Sequence, residues 1–271
     1  MLSSRKRAVS GLSLCIAALA FVTLWGAGYS HLARASDSAA DGSPDVSITV
    51  PRNNSTYNWN TLVNYSIVVS YHGKSTQYKE LPSKQVLLAA TYVSDLSAVA
   101  AKPASATAPT PAGLLDIIGS NCLGCHEFNA AATGPSFAAI AKRYPQNAAT
   151  VHTLSAHIRD GSAEMWGQES MPPHPDLTED QARAMARWIL KSAANPDVSY
   201  YVGTEGAIRM SAPAVPGPNA GMMLTASYTN LAGAVNPQQA PHGEATIIIH
   251  GKGKSLRTAD LDCMACSPRS R

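Results

Sequence analysis

Hydrophobic and polar positions along the chain follow two different periods. From Asp45 to about Val93 apolar residues tend to alternate with polar ones, as in half-buried strands. VSITV (46–50) is one run and QVLLAATYV (85–93) another; between them TLVNYSIVVSY (61–71) places Val63, Tyr65, Ile67, Val69 and Tyr71 on one face. Pro51-Arg52-Asn53-Asn54, His72-Gly73-Lys74 and Pro82-Ser83 supply the turns. Over 112–194 the pattern becomes helical. Thr178 and Gln181 form a capping box, Glu179 and Asp180 suit the first turn, and Ala182, Met185, Ala186, Ile189 and Leu190 recur at helical spacing up to Lys191. Strand-like runs return after Asn195, as MMLTASYTN (222–230) and EATIIIHGKG (244–253). The Ala-, Pro-, Ser- and Thr-rich segment 97–111 lacks periodicity and predicts a semi-extended linker. The expected architecture is multidomain: a β-sandwich-like region over 44–96, the linker, a helical domain over 112–194 and a β-rich region over 195–271. The pattern leaves open whether the two β regions fold together.

The first 35 residues read as a leader. Arg5, Lys6 and Arg7 precede an apolar run to about Gly28, and Ala33-Arg34-Ala35 offers small residues for a cut after Ala35. The competing expectation is an uncleaved anchor, because the run approaches spanning length. Four of the 21 basic residues fall in this leader, with no acidic ones, leaving 17 against 18 acidic, or −1. Nothing in this balance suggests a nucleic-acid partner, which would require a concentrated basic face.

Beyond the leader, four of the five cysteines remain, paired as Cys122/Cys125 and Cys263/Cys266. In SNCLGCHEFN (120–129) a histidine follows the second cysteine, which fits a redox dithiol, half a zinc site, a disulfide or covalently attached haem. A redox dithiol belongs in a βαβ context, which the helical pattern lacks. A zinc site needs a second ligand pair nearby, and Cys263/Cys266 is distant. C-x-x-C-H is the attachment signal for c-type haem: each thiol forms a thioether with one haem vinyl group, and His126 becomes the axial ligand beneath the iron. Cys263-Met-Ala-Cys266 has no following histidine and is expected to be a tight disulfide or a free pair.

GSAEMWGQESMPPHPDLT (161–178) offers Met165, Met171 and His174 as second axial ligand. Met171 precedes Pro172-Pro173, whose locked backbone steadies a ligand loop, whereas Met165 has no such support. Met171 is therefore the expected ligand, in place of a gap-filling core methionine, and His174 is its rival. A Met/His pair raises the reduction potential.

These segments, GSNCLGCH, TGPSFAAIAKRY and IRDGSAEMWGQESMPPHPDLTEDQARAMARWIL, resemble the small bacterial class I cytochromes c that shuttle electrons in the periplasm. The resemblance covers 112–193, under a third of the chain. It implies that the carbonyl of Pro135 accepts a hydrogen bond from His126, that Trp166 reaches a haem propionate, and that Trp188 packs the last helix on the first. The chain departs from many relatives in carrying His174 three residues past the methionine, where they have asparagine. The flanking stretches VSITVPRNNSTYNWNTLVNYSIVVSY and GMMLTASYTN resemble sandwich-like segments beside haem domains in periplasmic sugar dehydrogenases of the quinoprotein type. Here His72-Gly73-Lys74 replaces an acidic turn of those relatives. Together these imply an all-α class I cytochrome c domain flanked by β-sandwich-like (Ig-like) segments.

The function so expected is that of an exported, periplasmic electron carrier with one haem c. It makes no substrate bonds and docks transiently with a dehydrogenase, oxidase or other cytochrome; membrane contact is expected only if the leader stays on. Two other classes are weighed against it: a haem peroxidase or gas-binding sensor with five-coordinate iron, and a polysaccharide-binding protein with an accessory haem.

Overall fold

The computed structural model describes residues 42–100, 110–213 and 215–253. The leader, most of the 97–111 segment and Cys263/Cys266 lie outside them. Among the described residues, no helix is long and apolar enough to cross a membrane.

The β part contains β1 (Asp45–Val50), β2 (Thr56–Asn58), β3 (Leu62–Tyr71), β4 (Lys74–Ser75) and β5 (Val86–Val93) before the helices. After them come β6 (Val198–Val202), β7 (Glu205–Arg209), β8 (Gly221–Thr229) and β9 (His242–Lys252). One sheet has the order β1-β3-β4 with β7 also on β3, and the other runs β2-β9-β8-β5-β6. Strands from both ends of the chain therefore share both sheets, so the two β regions, separate in the sequence pattern, are one β unit.

The inward faces of the sheets share one core. Val63, Tyr65, Ile67 and Val69 of β3, the face the alternation marks, meet Val86 and Leu88 of β5 and Met222, Leu224 and Tyr228 of β8. Successive strand residues point to opposite faces. Leu87 accordingly points away from this core and joins a second cluster with Leu114, Ile117 and Ile118, which belong to the helices. A strand covered on both sides carries an unbroken apolar run, and VLLAA is such a run. Leu224 is fully buried, so Leu224→Ala is expected to cost about 2–5 kcal/mol through lost transfer energy and cavity. Urea unfolding should show a lowered midpoint with an unchanged slope.

The helical residues are inserted between β5 and β6, which are themselves paired antiparallel from Leu87↔Val202 to Thr91↔Val198. The amide of Tyr92 donates to the carbonyl of Asp197 at 2.7 Å and closes the neck of this insertion. Segment 97–111 is not wholly extended: Leu96–Ala100 is a short helix, α1. Its start is held by Asp95, whose carboxylate accepts from both the backbone amide and the hydroxyl of Ser97. Buried Leu96 anchors it. These contacts override the absence of periodicity.

The insertion proper has α2 (Ala112–Gly119), α3 (Phe137–Arg143), α4 (Ala148–Asp160) and α5 (Glu179–Ser192). The capping box at Thr178 and Gln181 is formed, and Ala182, Met185, Ala186, Ile189 and Leu190 are all buried. Helices α2 and α5 cross closely at Gly113. A Cβ there would lie 2.1 Å from the carbonyl oxygen of Ala184. Near the crossing, Gln181 donates to the carboxylate of Asp116 at 3.2 Å. Asp116 is buried, and that burial raises its pKa despite the Gln181 bond.

Candidate functional site

Cys122, Cys125 and His126 wind around a single turn just past α2. The carbonyl of Cys122 accepts from the amides of Cys125 at 3.1 Å and His126 at 3.0 Å. Such winding brings both thiols and the imidazole to one side of the chain. Both cysteines are free thiols, Cys122 buried and Cys125 exposed. Burial pushes the Cys122 thiol up, while the hydroxyl of Ser120, 3.0 Å from its sulfur, acts the other way.

The loop after His126 folds back upon this turn. The amide of Gly134 donates to the carbonyl of Cys125 at 2.8 Å, and that of Phe137 to Glu127 at 3.0 Å. This brings the Pro135 carbonyl 2.7 Å from His126 Nδ1. A carbonyl only accepts, so Nδ1 carries the proton and Nε2 keeps its lone pair for a metal. Phe137 stacks on the imidazole, with centroids 5.4 Å apart and planes at 21°. A Cβ at position 134 would come within 2.7 Å of the ring, so only glycine leaves the imidazole where it is.

Met171 reaches the site from the segment after α4. Its amide donates to the carbonyl of Ser162 at 2.8 Å, and its carbonyl accepts from Ser162 at 3.0 Å. Pro172 and Pro173 have no amide hydrogen to offer. The next amide, that of His174, donates to the carbonyls of both Ile158 and Arg159 at 3.1 Å, satisfying the end of α4. Met171 is thus tied on both sides. Gly161, with φ +81°, starts this segment, and a Cβ on it would lie 2.8 Å from the Met171 carbonyl.

All six residues marked in the sequence (Cys122, Cys125, His126, Pro135, Trp166 and Met171) line one cavity of about 400 Å³. That is within the ~300–1,000 Å³ of ligand and cofactor pockets. Ile117, Ile140, Leu154, Ile158 and Ile189 make much of its wall apolar. Met165, His157 and His174 line it too. Trp166 stands at the rim, 39% exposed. The guanidinium of Arg143 lies 4.4 Å from the Trp166 ring and donates to the carbonyl of Met165 at 2.7 Å, tying the Met165–Trp166 segment to α3. Nothing in the sequence singles out Arg143. Trp188 shares a buried cluster with Leu114, Ile117 and Ile118 of α2, and its ring packs on Phe128, Phe137 and Tyr200.

Two thiols, an imidazole whose Nε2 is free and a thioether sulfur around an apolar slot are the kinds of group a covalently held porphyrin requires. The family comparison agrees. The Cytochrome c family profile matches residues 116–193. Cytochrome c-551 of Azotobacter vinelandii is 38% identical over 69 residues, which are 26% of this chain and 83% of that protein. The chain belongs to the cytochrome c family. Cytochrome c-552 of Nitrosomonas europaea is 35% identical over 71 residues, covering 26% of this chain and 69% of the relative. The crystal structure of wild-type Nitrosomonas europaea cytochrome c552 shares 33% identity, with a TM-score of 0.27, over 28% of this chain and 94% of that one. The cytochrome segment carries with it covalently attached haem c and its iron, and its relatives are electron carriers. The matched residues exclude both sheets.

Proposed function

We propose that this protein is an exported, periplasmic carrier of single electrons that serves a dehydrogenase or a respiratory chain. In this reading Cys122 and Cys125 form the two thioethers, His126 and Met171 are the axial ligands, and one haem c is bound. The observation that carries it is the convergence of these four side chains on one apolar cavity, with His126 Nδ1 already bonded to Pro135.

When bound, the haem supplies a one-electron couple whose potential a Met/His pair sets high. The chain's residues do the rest. Pro135 fixes the tautomer and orientation of His126. The apolar wall excludes water. Trp166 at the rim would donate its indole N–H to a propionate, with Arg143 over its ring. Met165 and Trp166 are exposed at the rim and offer an apolar patch for a partner that docks over a small interface and leaves quickly.

The helical unit, 112–194, works as a module carried by the β unit. An Ig-like reading of that unit is supported by its two sheets around one core. Its parallel β2–β9 edge is a departure from an antiparallel sandwich.

The test is to produce the full chain in a host with haem-attachment machinery and extract it with acidified organic solvent. Pigment is expected to stay with the protein, with a low-spin spectrum. Cys125→Ser is expected to leave attachment through one thioether only and to lower the yield of holoprotein severalfold. A colourless wild type, or pigment that leaves with the solvent, would overturn the proposal.

A further inference from the structure

We infer that Tyr200 of the β unit is a positioning residue for the proximal side of the site, through which the sandwich tunes the reduction potential. This rests on the haem reading above. The wall behind His126 is a layered set of rings. Phe137 stacks on the imidazole, and Phe128 meets Phe137 edge-on at 5.5 Å. Tyr200 then meets Phe128 at 5.5 Å and Trp188 at 5.4 Å. Phe128, Phe137 and Trp188 are all buried. The outermost ring therefore comes from β6, outside the residues matched to the family. The side-chain amide of Asn129 also donates to the Tyr200 carbonyl at 3.4 Å, linking the strand to the loop after His126.

Tyr200 cannot drift away from this wall, because β6 is held in register by β5. Removing its ring uncovers Phe128 and Trp188 and lets water approach the layer behind Phe137. The hydrophobic shell around a metal site controls solvent access and dielectric, hence potential. Water favours the more highly charged, oxidised iron, so the potential falls. The bond between Pro135 and His126 is untouched, so ligation survives.

Spectroelectrochemical titration of the full-length holoprotein tests this. Tyr200→Ala is expected to keep covalent haem and the wild-type ligand spectrum while its potential drops. At a fixed ambient potential its reduced-to-oxidised ratio should fall roughly three- to tenfold, tenfold being about 59 mV for one electron. Tyr200→Phe keeps the ring and is expected to match wild type. Val69→Ala, deep in the sandwich core, is expected to lower thermal stability and leave the potential alone. An unchanged potential in Tyr200→Ala, or an equal shift in Val69→Ala, overturns the inference. If Tyr200→Ala does not accumulate, Tyr200→Leu decides the question, with a smaller fall expected and no fall overturning it. Absence of haem from the wild type would instead refute the haem reading itself.

Discussion

Met171→Ala is expected to abolish the sulfur-to-iron charge-transfer band of the oxidised protein and to lower its potential by something on the order of 100 mV or more. The direction follows from the thioether, a neutral ligand that favours reduced iron. The loop itself should persist, because the bonds that tie Met171 to Ser162 are made by its backbone and alanine keeps both. The loss is thus a loss of the ligand alone. An optical titration of wild type and variant measures both quantities together. A band that survived the substitution would pass the ligand role to Met165, the other thioether lining the cavity.

The second large effect is expected of Gly113→Ala. The added Cβ would lie 2.1 Å from the Ala184 oxygen, 2.5 Å from its carbonyl carbon and 2.9 Å from the Met185 nitrogen. All three are backbone atoms, which cannot swing aside as the end of a side chain can. Helix α2 must then move off α5 and loosen Leu114, Ile117, Met185 and Ile189, which pack in the same cluster. Overpacking and lost packing together are expected to cost about 3 kcal/mol or more. For a unit the size of residues 112–194 that is roughly 12–24 °C in melting temperature. Thermal melts followed by far-ultraviolet circular dichroism check it, and an unchanged melting point would show that α2 and α5 can part at little cost.

Most of the site was legible because it is written in short, local spacings. Cys122, Cys125 and His126 need one turn of chain, and Met171 is marked by the prolines that follow it. The residues that hold these side chains in place were not. Gly134 reads as an ordinary loop glycine until His126 is found against it. Arg143 reads as a basic residue ending a helix until Trp166 lies under it. In the fold, strands with a clear inner face such as β3 stand out from their alternation. β6 does not, since all its residues are half-buried between the sheet and the helices. β7 buries only Ile208, too little to make a pattern. The pairing of β5 with β6 was out of reach for a different reason: the partners are separated by the whole helical insertion, and period says nothing about distant register.

That pairing has a consequence for how the protein could be re-engineered. The chain leaves and re-enters the sheet on neighbouring strands, paired up to Thr91 and Val198, so the whole insertion departs and returns about 4.8 Å apart, one strand spacing. The β5–β6 pairing thus closes the loop that holds the haem unit, and enlarging that loop adds little entropy cost, about 0.6 kcal/mol for each doubling of length. The scaffold is in effect a socket. A foreign redox domain whose own termini lie side by side should be transplantable into it with short connections, whereas one whose termini sit on opposite poles would need longer connections to leave β6 on β5.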